Sequence, residues 1–131
     1  MLTGSCHCGR VRWSFDGDPG SATACNCTTC RRYGALWAYD WLGARIKTSG
    51  KTHKYLRGER ELGFHFCPHC GNAAWWLGEK PHHDERTRVA VNLRLADDPA
   101  AVADLPIRHF EGLDSFTELP RDERCVRDLW F

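Results

Sequence analysis

Seven of the eight cysteines in this 131-residue chain fall into three short clusters. They are Cys6-His7-Cys8, Cys25-Asn26-Cys27-Thr28-Thr29-Cys30 and Cys67-Pro68-His69-Cys70. A C-x-C or C-x-x-C pair delivers two thiolates from one sharp turn, as a tetrahedral zinc ion with Zn–S arms of about 2.3 Å requires. Seven such ligands divide as four and three. Four close a coordination shell; three leave one position to be filled by something else.

Disulfides are the competing use of so many cysteines. C-x-C and C-x-x-C pairs are awkward as direct disulfides and natural as chelates. Met1-Leu2-Thr3-Gly4-Ser5 is too short and too polar for a secretory leader, which points to a cytoplasmic chain whose thiols stay reduced. Redox chemistry at the C-x-x-C pairs lacks a recognisable βαβ setting. Metal binding is the reading the spacing favours.

Charge and length narrow the partners. Lys and Arg number 18 against 17 Asp and Glu, with only a mild positive bias at Arg31-Arg32 and across residues 45–60. That balance argues against a nucleic-acid or anionic-membrane surface. No run approaches the length of a membrane-spanning helix. One domain over residues 1–131 is expected, with six tryptophans and six phenylalanines for a core or pocket.

Alternating apolar residues predict strands at residues 11–15, 36–41, 52–56, 62–66, 73–77 and 88–95. Turn residues 16–20 close the first, and residues 80–86 read as a loop. In the last strand Val89, Val91, Leu93 and Leu95 oppose Arg88, Ala90, Asn92 and Arg94. Only residues 98–105 look helical, with Asp97 or Asp98 as N-cap and Pro99 just inside. The expected fold is mainly β, an antiparallel zinc-stapled domain with one short helix.

Cys6 with Cys8 and Cys67 with Cys70 are candidate halves of a four-thiolate site, each followed by a glycine, Gly9 and Gly71, that lets the backbone turn amides toward sulfur. Joining them closes a long chain loop, where a metal clip can stabilise strongly. Other pairings remain compatible with the spacing. Cys25, Cys27 and Cys30 can surround a second ion from three sides, the donor arrangement of catalytic zinc. Arg31 and Arg32 follow at once, placed to offset thiolate charge or grip a substrate carboxylate. Spacing alone leaves open a fourth ligand that would make this site structural: Cys125, a histidine or a carboxylate.

Gly4-Ser5-Cys6-His7-Cys8-Gly9-Arg10-Val11, Cys25-Asn26-Cys27-Thr28-Thr29-Cys30-Arg31 and Phe66-Cys67-Pro68-His69-Cys70-Gly71, in that order, resemble the glutathione-dependent formaldehyde-activating family, related to centromere protein V. The resemblance spans about residues 4–116, with Ile107-Arg108-His109-Phe110 similar to the family's late strand, and leaves a tail at 117–131. It implies a β-tent-like fold with two zinc ions, the second site filled wholly or in part. Cys6, Cys8, Cys67 and Cys70 would hold the structural ion; Cys25, Cys27 and Cys30 would hold the catalytic one. The implied activity is that of a carbon–sulfur lyase acting on a thiol–aldehyde adduct such as S-hydroxymethylglutathione, with glutathione or a similar thiol as substrate. Where the family often has histidine between the first two cysteines of the middle array, this chain has Asn26.

The other singled-out residues have plainer readings. His7 and His69 lie between ligands and should point away from metal; His82 and His83 belong to a solvated loop. His65 should face away from Phe64 and Phe66, His109 should be structural, and Cys125 a lone thiol. Trp37, Tyr39, Trp41, Trp75 and Trp76 are core or pocket lining. The expected partners are a small-molecule thiol and an aldehyde, with no nucleic acid and no membrane, and the assembly a monomer or homodimer. A non-catalytic zinc-stabilised binding module is the alternative, and a nucleic-acid-binding zinc ribbon lacks its basic stripe.

Overall fold

Successive residues of a strand point to opposite faces, and here both faces of the main sheet are put to use. The computed structural model describes residues 1–129. It forms strands β1 (Leu2–Ser5), β2 (Arg12–Phe15), β3 (Ala22–Cys25), β4 (Trp37–Trp41), β5 (Ile46–Ser49) and β6 (His53–Leu56). These are followed by β7 (Leu62–Phe66), β8 (Ala73–Gly78), β9 (Arg88–Asn92), β10 (Ile107–Glu111) and β11 (Thr117–Glu118). One short helix, α1 (Cys30–Tyr33), leaves β3. The mainly β domain with one short helix read from the sequence is what the chain adopts.

The strands make a three-stranded sheet, β1-β2-β5, and an eight-stranded sheet, β11-β10-β3-β4-β9-β8-β7-β6. Pairing is antiparallel except between β3 and β10, which run parallel with Ala22 opposite Ile107. Parallel neighbours need a crossover, and the chain between them supplies most of the main sheet.

Trp13, Phe15 and Ile46 of the small sheet, with Val11 just before β2, pack with Ala22, Val89, Val91 and Ile107 of the large one in the principal core. On the other face, Trp37, Phe64, Trp76 and Ala90 join Cys27 and Cys30 in a second cluster. Burial on both faces makes Val89, Ala90 and Val91 a continuous apolar run, with none exposed to solvent. Phe64 enters the second cluster, while its neighbour His65 stacks on Trp75 with ring centroids 5.8 Å apart.

Two expected elements are shorter than their patterns suggested. β9 stops at Asn92, whose buried side chain accepts from the amides of Leu36 and Arg94 and donates to the Ala73 carbonyl. These bonds turn residues 93–95 into a 3-10 turn. The helix expected at residues 98–105 is a single 3-10 turn, Pro99–Ala101. Its cap is as read: Asp98 Oδ1 accepts from the Ala100 amide at 3.1 Å. The turn ends because Val102 and Ala103 must enter the core before the chain returns as β10.

Candidate metal centres and cavity

The seven clustered cysteines form two groups. Cys6, Cys8, Cys67 and Cys70 bring their sulfurs within 4.8 Å of one another, and so do Cys25, Cys27 and Cys30. A tetrahedron with 2.3 Å arms has edges of about 3.8 Å, and the Cys6–Cys8 and Cys8–Cys67 sulfur separations are both 3.6 Å. Soft thiolates at that spacing suit zinc. Both clusters could hold a metal ion.

The four-cysteine group joins the two sheets. Its first turn links β1 to β2 in the small sheet and its second links β7 to β8 in the large one. Both turns close alike: Gly9 N–H donates to the Cys6 carbonyl at 3.0 Å and Gly71 N–H to the Cys67 carbonyl at 2.8 Å. Gly9 and Gly71 have φ of 83° and 82°, a left-handed conformation in which a β-carbon is strained. Val11 N–H points at Cys6 Sγ, and the amides of His69 and Cys70 point at Cys67 Sγ. Amide hydrogen bonds, from Asn72 first and then Cys8, hold the Cys70 thiol down at about 6. Asn72 also ties the turns together, accepting from the His7 amide at 2.7 Å.

The three-cysteine group is built locally. Cys25 ends β3, Cys30 opens α1, and Cys27 lies between them. Period two places Ala22 in the principal core and Thr23 and Cys25 on the opposite face. Three donors converge on the sulfurs: the Cys30 amide on Cys27 at 3.2 Å, Trp37 Nε1 on Cys30 at 3.3 Å and Arg57 Nη1 on Cys27 at 3.7 Å. A hydrogen bond from Cys30 lowers the Cys25 thiol to about 6, and the same contact raises Cys30. Among the described residues no histidine, carboxylate or further cysteine joins this group. Cys125 lies elsewhere, bridged to Pro106 and donating to Asp128 Oδ2.

These three sulfurs line a cavity of about 470 Å³, and none of the other four does. That size falls within the range of small-molecule sites. Trp37, Tyr39, Trp76 and Leu62 form its apolar wall, and Arg57, Arg88, Arg108, Glu59, Glu61 and Glu118 its charged rim. Burial raises Tyr39 to about 12, so its phenol stays neutral. The β10–β11 hairpin forms one lip. Asn26 fastens it, accepting from the Gly112 amide at 2.8 Å and donating to Glu111 at 3.2 Å. Gly112 is pressed so close that a β-carbon there would lie 2.8 Å from Cys25 Sγ.

Arg31 and Arg32 do not line this cavity. Each helical residue rotates by about 100°, so with the Cys30 side chain buried, the next two side chains turn out to solvent. Arg32 instead donates to the Thr28 carbonyl at 2.8 Å. The arginines that do reach the cavity were not picked out from sequence. The weak positive bias at residues 45–60 contained Arg57, and Arg88 and Arg108 were noted only as members of expected strands. His109 points away from the cavity, within reach of Asp122 and Arg124. His82 packs edge-on against Trp41 at 4.9 Å. No helix among the described residues is long and apolar enough to cross a membrane.

Comparisons place this geometry among known proteins. No curated protein matches the chain. A crystal structure of a Rhodobacter sphaeroides protein is similar in fold, with a TM-score of 0.60 and 24% identity, covering 80% of this chain and 98% of that one. The family model described as glutathione-dependent formaldehyde-activating enzyme matches residues 1–107, taking in all three cysteine clusters. The chain belongs to the glutathione-dependent formaldehyde-activating enzyme family.

Proposed function

We propose that this protein is a zinc-dependent carbon–sulfur lyase acting on a thiol–aldehyde adduct such as S-hydroxymethylglutathione. The observation that carries the reading is the position of Cys25, Cys27 and Cys30 along the wall of a cavity large enough for a small peptide. Zinc on these three thiolates would supply a Lewis acid with a coordination position for the substrate's sulfur or oxygen. Cys6, Cys8, Cys67 and Cys70 would hold a second, structural zinc.

The chain's own groups prepare the site. Donors from Cys30 N, Trp37 Nε1 and Arg57 Nη1 fix the sulfurs and disperse their negative charge. The aromatic wall excludes water and lowers the local dielectric, which strengthens these contacts. In the cleavage direction the carbon–sulfur bond breaks, the hydroxyl oxygen loses its proton as the carbonyl forms, and sulfur leaves as a thiolate that takes up a proton. The reverse direction adds the thiol to the aldehyde. Arg57, beside Cys27, is placed to stabilise negative charge that develops near sulfur.

The test is exchange between glutathione, formaldehyde and their adduct, followed by NMR line broadening on zinc-loaded protein. Exchange faster than the spontaneous rate, and lost in Cys27→Ser, is expected. Spontaneous-rate exchange with a filled second site would leave the protein a binding module.

A further inference from the structure

The cavity's three arginines differ in what already answers their charge. Arg57 Nε lies 2.7 Å from Glu59, and Arg108 Nε lies 3.0 Å from Glu118. Arg88 also lines the cavity, yet among the described residues it forms no ion pair. Its guanidinium carbon sits 5.6 Å from the Trp76 ring centroid and 5.9 Å from that of Tyr39. Aromatic neighbours steady a guanidinium without consuming its N–H donors. On the adjoining strand stands Gly78, whose missing side chain leaves the space beside Arg88 open; even a β-carbon there would lie 4.0 Å from Arg88 Cβ.

We propose that Arg88 is a specificity-determining residue that selects thiols carrying a carboxylate remote from sulfur; this rests on the function proposed above. The sheet register sets the distance. Thr23 pairs with Trp37 and Trp37 with Asn92. Cys25 lies two residues from Thr23 toward one end of the sheet, and Arg88 four residues from Asn92 toward the other. At about 3.3 Å per residue, the thiol and guanidinium anchors are several steps apart, and the arginine side chain spans only part of the gap. A short mercapto acid cannot bridge it; a peptide-length thiol can. Glu61 stands on the same charged rim and also forms no ion pair among the described residues. A carboxylate accompanied by an ammonium group, as in an α-amino acid, answers both charges.

Calorimetric titration of zinc-loaded protein with glutathione and with its diethyl ester tests this. A bidentate guanidinium–carboxylate contact corresponds to about a tenfold to hundredfold preference for the free acid. Wild type should show that preference. Arg88→Met, which keeps the stem packed on the rings, should bind acid and ester alike, and Arg88→Lys should recover part of the difference. A preference retained in Arg88→Met, or no preference in wild type that binds both forms, overturns the role of Arg88 and leaves the thiol site standing. Wild type that binds neither form overturns both.

Discussion

The two cysteine groups offer the same ligand chemistry in different settings. Cys6 and Cys67 are 1% and 0% exposed and belong to the principal core, and the turns that carry the four sulfurs come from different sheets. The other three sulfurs come from a single stretch of six residues and look into a cavity. Ligands far apart in sequence make an ion part of the fold, because binding restricts the unfolded chain. Ligands close together restrict little, so such a site is free to trade stability for access. Under the proposed function, distance along the chain is what separates the structural role from the chemical one.

The widest separation is expected at Cys67→Ser. Structural zinc contributes on the order of 10–16 kcal/mol of apparent binding energy, as much as or more than a domain's net stability of about 5–15 kcal/mol. Metal analysis and thermal melting should show one zinc lost together with the cooperative transition. A native-like melt would mean that this cluster does not hold the sheets together.

Cys27→Ser should act on the other site. The second zinc and thiol binding should be lost, while stability changes by no more than about 1–2 kcal/mol, read by denaturant melting. Global unfolding would erase the distinction between the clusters and make both structural.

How far this division was legible depended on where the signal lay. The C-x-C and C-x-x-C spacings carried both groups, and Gly9 and Gly71 marked the paired turns because their backbone geometry is local. Alternation revealed β2, β7 and β9, where large side chains mark a face. β3 was hidden: Ala22-Thr23-Ala24-Cys25 has small residues on its core side and cavity-lining polar ones on the other. α1 lay unseen within the middle cluster, and its rotation is what carries Arg31 and Arg32 outward. Arg57, Arg88 and Arg108 meet only through the order of strands in the sheet, which no local pattern encodes.

Glycine variants sharpen the comparison at lower cost. Gly71→Ala meets no atom within 4 Å, but its φ of 82° makes alanine strained, at about 1–2 kcal/mol. Its melting temperature should fall while thiol affinity holds. Gly112→Ala should do the reverse. No left-handed φ is imposed there, but the new β-carbon would press Cys25 Sγ at 2.8 Å and Cys27 Cβ at 3.0 Å. Thiol affinity should drop severalfold with little change in melting. Identical effects from the two variants would contradict the separation of roles.

The smallest expected effect is at the cavity's lip, at the residue before Gly112. Glu111 accepts from the amides of Ser115, Asp114 and Leu113, at 2.8, 3.0 and 3.0 Å, and these bonds hold its carboxyl down at about 2. Because the folded value lies below the ordinary 4.5, the contribution is fully present above that pH and is lost as pH falls toward about 2. The Glu111 carboxyl resonance should therefore titrate near 2, with amide protection at residues 113–115 falling in step. At neutral pH, Glu111→Gln should speed exchange of those amides and weaken thiol binding modestly, with the four-cysteine site keeping its zinc. The variant retains Oε1, which can still accept from Leu113 and Asn26, so the hairpin should loosen without detaching. An ordinary carboxyl titration near 4.5, or unaltered exchange in the variant, would show that the lip is held by Asn26 alone.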